Sequence, residues 1–198
     1  MELLLKIDLY LTQSINKFVY KNSYISTFLR YATHTSGGRT YILYFLIIPF
    51  LPELTNDMLS INLASFLWVY GGSAFIAFQV PMYFLLKHLT KRERPYIKHD
   101  ITPLMSPPDK FSFPSGHSAS ATLLTLILIS QSSVVSPYFI VWMSIIFLSR
   151  IGLGLHYVSD VIGGIILGVT SFIVTLAISE FNLSLNHYIF EALSNFNN

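Results

Sequence analysis

Apolar residues run along this chain of 198 residues in long blocks, with polar residues gathered at their ends. The first block is different. Leu4, Ile7, Leu11, Ile15 and Phe18 recur at three- and four-residue steps, with Lys6, Gln13 and Lys17 between them. That spacing predicts an amphipathic helix over residues 1–22. Such a helix either lies in a membrane interface or packs on its own domain. Residues 22–40, with Arg30, His34, Gly37, Gly38 and Arg39, read as a polar connection. Residues 41–54 are apolar but short for a span, which needs roughly 20 residues. Residues 61–86 form a clear span with a kink expected at Pro81. Residues 118–135, 138–149 and 161–178 complete the set, with Pro137 restarting the chain between the first two. Gly164 and Gly168, four apart, give the last span a small-residue face for close helix contact. The tail from Glu180 is polar-aromatic and carries no motif.

Composition agrees with this pattern. Hydrophobic residues make up 53% of the chain and charged residues only 11%, where soluble domains carry about a quarter. The expected fold is an all-α polytopic membrane bundle of five to six transmembrane helices with an amphipathic N-terminal helix. It is expected to form one membrane-embedded domain over residues 1–198. The chain has no cysteine, so disulfides and thiolate metal sites are excluded. Residues 2–20 contain Glu2, Lys6, Asp8 and Lys17, which breaks the uninterrupted apolar core of a signal peptide. The net charge of +2 is small, and no nucleic-acid partner is expected.

Alternation of the spans brings their polar ends to one side of the membrane. The span 61–86 ends at Lys87, the next starts at His117, the next ends near Arg150, and the last starts after Asp160. Three segments of chemical interest lie at these ends, all within residues 87–160. The first is Lys87 with Arg94 and Pro95, two cations seven apart that can reach one anion. The second is Pro114-Ser115-Gly116-His117. Here Ser115 suits an N-cap, Gly116 permits close backbone approach, and the free N–H groups of a helix start bind anions. The third runs from Ser149 and Arg150 to His156 and Asp160. His156 and Asp160 are four apart, so the carboxylate can hold one ring nitrogen and leave the other free as a nucleophile. Ionisable groups at the junction of two spans are expensive unless paired or functional. Taken singly, each segment has an ordinary explanation as a basic anchor, a capped helix or a structural ion pair. Taken together they supply three cations, two histidines and a carboxylate, which suit a tetrahedral dianion. The residues alone leave open which histidine attacks.

K-x6-R-P, P-S-G-H and S-R-x5-H-x3-D, all intact here, resemble the three signatures of the type 2 phosphatidic acid phosphatase superfamily. The resemblance implies a membrane lipid phosphatase that works without a metal or other cofactor. It further implies that His156 attacks phosphorus to form a phosphohistidine, that Asp160 orients His156, and that His117 protonates the leaving oxygen and then activates water. Lys87, Arg94, Arg150, Ser115 and Gly116 would hold the phosphate oxygens. The short stretch 96–113 matches the compact bacterial members. The expected substrate is a lipid phosphate or pyrophosphate, such as undecaprenyl pyrophosphate, phosphatidylglycerophosphate or phosphatidic acid, with lipid A as an alternative. A non-catalytic lipid-phosphate binder or transporter is the rival from another class, and retention of both histidines argues against it. Arg92, outside the signature, is expected to be dispensable. If residues 41–54 span, all twelve Lys and Arg lie on the catalytic side, which points to the cytoplasm. Many bacterial relatives face outward, and an outward-facing site in the cell membrane is expected on that ground. The oligomeric state is left open.

Overall fold

The computed structural model describes residues 2–47, 66–107, 109–131 and 136–196, and among these every regular element is helical. Helix α1 is Glu2–Lys21, α2 is Ser23–His34 and α3 is Gly38–Ile47. A continuous helical run, α4, is wound as π-helix over Phe66–Gly71 and Phe75–Gln79, and as α-helix over Gly72–Ala74 and Val80–Thr90. The short α5 is Pro95–Lys98, α6 is Gly116–Gln131, α7 is Ser136–Gly152 and α8 is Val158–Phe196. Pro81 falls in the first turn after the second π-wound stretch. A proline removes one backbone N–H and crowds the preceding turn, and a widened turn absorbs both effects.

Two expectations change. Residues 22–40 are largely helix rather than connection. Asn22 caps α2 by accepting from the Ile25 N–H at 3.1 Å, and Ser26, Leu29 and Thr33 form its buried stripe. Two of those three residues are polar, so apolar periodicity could not reveal the helix. The final span also continues beyond residue 178, because α8 runs to Phe196. The expected span over 41–54 and the turn after it lie mostly outside the described residues; only α3, to Ile47, is seen.

The bundle is built inside out relative to a soluble protein. Ile76, Phe84, Val141, Ile162, Ile166 and Ile173 are exposed, while Ser118, Thr122, Thr125, Ser171 and Thr175 are buried. Each of Thr122, Ser171 and Thr175 donates its hydroxyl to the carbonyl four residues back, at 2.7–3.0 Å, so none of these three hydroxyls is stranded. Small hydroxyl residues and glycines let membrane helices approach closely. The tightest pair is α6 with α8. A Cβ on Gly164 would lie 2.5 Å from the Ser115 carbonyl, and one on Gly168 would lie 2.5 Å from the Ala119 carbonyl. Two described helical stretches are long and apolar enough to cross a bilayer. Val158–Ser184 has mean hydropathy 2.4 and Phe66–Lys98 has 1.4.

Helix α1 packs with its polar side inward. Thr12, Asn16 and Val19 are buried, while Leu4, Ile7, Leu11 and Phe18 are exposed. Asn16 donates to the Gly152 carbonyl at 2.9 Å and to the Thr102 carbonyl at 3.0 Å, and accepts from the Thr102 N–H at 3.1 Å. Val19 joins Leu29, Leu153 and Leu155 in an apolar cluster under the turn between α7 and α8. Gly154 in that turn has φ +75°, a conformation L-residues rarely adopt. Helices α1 and α2 thereby brace the turn that carries His156.

Candidate active site

Lys87 ends α4, Arg94 precedes α5, His117 opens α6, Arg150 ends α7, and His156 and Asp160 flank the start of α8. The fold brings these ends together, as alternation of the spans requires. Lys87, Arg94, Arg150, His156 and Asp160 are all buried. Arg94 donates to the Leu155 carbonyl at 2.8 Å, and the same nitrogen lies 3.4 Å from His156 Nε2. Arg150 donates to Thr33 Oγ1 at 2.7 Å, and its Nε has no hydrogen-bond partner. The Arg150 carbonyl accepts from the His156 N–H at 3.1 Å, which locks the turn carrying His156 onto the end of α7.

His156 Nε2 therefore faces the guanidinium cluster, while Nδ1 faces Asp160. Burial, and then the charges of Arg150, Arg94 and Lys87, hold the His156 imidazole well below the usual histidine range. A neutral imidazole keeps a lone pair for nucleophilic attack. The expected His156–Asp160 hydrogen bond is not made. Nδ1 stands 3.6 Å from Asp160 Oδ2 and has no partner, beyond hydrogen-bond range. The carboxylate is engaged elsewhere, with Oδ2 accepting from the Tyr157 N–H at 2.9 Å and Oδ1 from Arg92 at 2.6 Å. Such contacts often tighten only when substrate is bound.

Ser115 and Gly116 behave as a helix start. Ser115 Oγ accepts from the Ser118 hydroxyl at 2.9 Å and faces the Ser118 N–H at 3.4 Å. Its hydroxyl is fully buried in this capping arrangement. A Cβ on Gly116 would lie 2.8 Å from the Tyr83 ring, so glycine is needed for ring contact as well as for backbone approach. His117 is partly exposed, and its carbonyl accepts from Ser36 Oγ at 2.9 Å. It lines a cavity of about 360 Å³ together with Gln79, Tyr83, Phe84, Asp109 and Gly116.

Asp109 did not figure among the residues expected at the site. Its Oδ1 lies 2.9 Å from Lys87 Nζ and 2.8 Å from an Arg94 terminal nitrogen, while Tyr83 donates to Oδ2 at 2.5 Å. A carboxylate of the chain itself thus sits on two of the three cations assigned to phosphate. Burial pushes the Asp109 carboxyl up, but hydrogen bonds from Lys87 and Tyr83 and the charges of Lys87 and Arg94 outweigh it. The group lies below the ordinary carboxylate range. Arg92 is the second residue whose place was missed. Far from standing outside the site, it touches Asp160. No sequence periodicity marks either residue, because each reaches its partners only across the fold. Among the described residues no three His, Asp or Glu side chains gather as a metal site.

A family model described as the PAP2 superfamily matches residues 62–184. Decaprenylphosphoryl-5-phosphoribose phosphatase of Mycobacterium tuberculosis is 38% identical over 103 residues, which is 52% of this chain and 55% of that protein. The Mycolicibacterium smegmatis protein of the same description is 36% identical over 95 residues, 48% of this chain and 49% of that protein. The chain spans about half the length of the curated relatives it matches. Two solved structures share the fold at 22% identity. The transmembrane PAP2 type phosphatidylglycerolphosphate phosphatase of Bacillus subtilis aligns with TM-score 0.66 over 91% of this chain and 88% of that one. Aquifex aeolicus LpxE aligns with TM-score 0.68 over 85% and 94%.

Proposed function

This chain belongs to the PAP2 superfamily, and on that premise we propose that it is a membrane phosphatase releasing phosphate from a lipid phosphate or lipid pyrophosphate through a phosphohistidine. The observation that carries the reading is His156 Nε2 turned toward buried Arg94, at one end of a bundle whose outer face is apolar. In the first step Nε2 attacks phosphorus in line and the P–O bond to the lipid breaks. His117 delivers a proton to the departing oxygen. In the second step water, deprotonated by His117, attacks the phosphohistidine; the P–N bond breaks and inorganic phosphate leaves. Lys87, Arg94 and Arg150 match the charge on the equatorial oxygens as it redistributes. The N–H of Gly116 contributes from the helix start, and Ser115 holds that start in shape. Three guanidinium and ammonium groups supply the electrostatics that a divalent ion would otherwise supply, so we infer a metal-independent reaction.

The apolar exterior supports a lipid substrate. Its phosphate would reach the cations and its chain would lie along the cavity beside Phe84. The polyprenyl-linked substrate named for the mycobacterial relatives keeps prenyl phosphates in the panel beside phosphatidic acid and phosphatidylglycerophosphate. In the same reading five or six helices cross the cell membrane. Helix α1 lies in the membrane surface with Leu4, Ile7, Leu11 and Phe18 toward lipid. The catalytic end faces outward, and labelling of single cysteines placed in 96–113 of the cysteine-free chain reads that orientation directly.

The test is phosphate release by the purified chain in detergent micelles from undecaprenyl pyrophosphate, phosphatidylglycerophosphate, phosphatidic acid and lipid A. At least one is expected to turn over, with inhibition by orthovanadate and no turnover by His156→Ala. Turnover by a well-folded His156→Ala would sink the nucleophile assignment, and failure on every substrate would sink the lipid phosphatase reading.

A further inference from the structure

Asp160 is fully buried, and a buried carboxylate stays ionised only with a charged or hydrogen-bonding partner. Arg92 supplies both. One of its terminal nitrogens donates to Asp160 Oδ1 at 2.6 Å and to Ser159 Oγ at 2.6 Å. The other donates to Asp8 Oδ2 at 2.9 Å, and the guanidinium carbon lies 3.9 Å from the Tyr157 ring centroid. The guanidinium is therefore held on two edges and one face, a geometry that lysine cannot reproduce. Asp8, on α1, also accepts from the Ser159 N–H at 2.9 Å, and Thr12 on the next turn faces the Val158 N–H at 3.3 Å. Helix α1 thus caps α8 from outside, at the turn that carries Asp160.

We propose that Arg92, held in place by Asp8 of the N-terminal helix, is a positioning residue for the Asp160–His156 pair. The inference rests on the phosphohistidine reading. With Oδ1 fixed by Arg92 and Oδ2 by the Tyr157 N–H, the Asp160 carboxylate cannot rotate. Oδ2 stays on the Nδ1 side of His156, ready to close the 3.6 Å gap when the ring gains positive character. Without Arg92 the buried carboxylate loses its counter-charge and takes up a proton, and a neutral acid no longer stabilises the imidazolium. Arg92 contacts Asp160, Ser159 and Asp8 and does not share the Asp109 contacts of Lys87 and Arg94, so its loss falls on turnover rather than on substrate binding.

The experiment measures kcat and KM for phosphate release from the preferred lipid by Arg92→Ala, Arg92→Lys, Asp8→Asn and the Arg92→Ala/Asp8→Asn double variant, with His156→Ala alongside. Arg92→Ala is expected to lower kcat by about 10- to 100-fold, the scale of losing a partner that orients a reacting group. Its KM is expected to stay within about twofold of wild type. Arg92→Lys recovers part of the loss, since an ammonium can still neutralise Asp160. Asp8→Asn keeps an oxygen for the Ser159 N–H and loses the charged Oδ2 that holds Arg92 and accepts from the Ser159 hydroxyl, while Arg92 itself remains on Asp160, so its kcat falls less. The double variant is no slower than Arg92→Ala alone, because Asp8 acts through Arg92. If Arg92→Ala does not give folded protein, Arg92→Lys and Asp8→Asn carry the test through the same fall in kcat at constant KM. Wild-type kcat in the Arg92 variants, a loss expressed as raised KM, or additive losses in the double variant would overturn the inference. An inactive His156→Ala beside a fully active Arg92→Ala defeats this inference alone, whereas an active His156→Ala defeats the phosphohistidine reading beneath it.

Discussion

Two carboxylates meet arginine at this catalytic end, and they differ in almost every other respect. Asp160 sits at the start of a long helix, fully buried, with both oxygens occupied by a backbone N–H and by Arg92. Asp109 sits in a loop, with a side chain 30% exposed, on Lys87 and Arg94. The first pairing is built into the helix framework, where Arg92 also holds Asp8, and it has no part in binding phosphate in the proposed reaction. The second covers cations that the proposed reaction needs for phosphate. A phosphate dianion brings more charge and more acceptor oxygens than one carboxylate, and solvent can reach the loop, so exchange is physically reasonable there and unreasonable at Asp160. In the proposed reaction similar ion pairs would therefore serve opposite ends, one holding Asp160 still and the other satisfying Lys87 and Arg94 until phosphate arrives.

The sharpest way to break this contrast is to neutralise each carboxylate in turn. Asp160→Asn is expected to reduce kcat on the order of ten-thousandfold, as loss of the group that orients a catalytic histidine does elsewhere. Steady-state kinetics of the folded variant measure it, and a loss under tenfold would make Asp160 merely structural. Asp109→Asn is expected to act the other way on binding. With the competing charge gone, KM and the inhibition constant of orthovanadate should fall by about two- to fivefold, the scale of a partly exposed ion pair, at near-constant kcat. A rise in KM would make Asp109 part of the phosphate cradle instead of its competitor.

The pH profile sharpens the comparison further. Because His156 is held below the usual histidine range, its imidazole stays neutral as pH falls through that range. The acid limb of kcat/KM for the free enzyme should therefore lie below about pH 6.5. Asp109 is held low as well, so its competition persists over the same interval, and the Asp109→Asn profile should run parallel to wild type across it. An acid limb centred on the ordinary histidine value would contradict the environment assigned to His156. The smallest expected effect is that of EDTA, which should leave turnover unchanged. Loss of activity on chelation that returns with a divalent ion would overturn metal independence.

Much of the site was legible before any coordinates. The cations, the histidines and Asp160 fall at consecutive ends of apolar blocks, and alternation alone puts them on one side. The small-residue face at Gly164 and Gly168 was equally plain, because only glycine admits the Ser115 and Ala119 carbonyls at that distance. Helix α2 was not legible, since its buried stripe includes Ser26 and Thr33, whose burial depends on neighbours such as Arg150. The contacts of Arg92 were hidden for a related reason. It lies in the variable stretch between Lys87 and Arg94, and its partners Asp8 and Asp160 are 84 and 68 residues away.

What the sequence by itself determined is the class of protein and the chemical parts. Block length sets the helices, the polar ends set the side they share, and the spacing of Lys87, Arg94, His117, Arg150, His156 and Asp160 sets the charges available. What only the tertiary structure decided is how those charges are matched. Asp109 covers Lys87 and Arg94, Arg92 pairs with Asp160, and the N-terminal helix turns Asp8 inward to hold Arg92. The physical reason is that a buried charge must find a partner within a few ångströms. Distance along the chain does not say which partner that is, and the packing of α1 against α8 does.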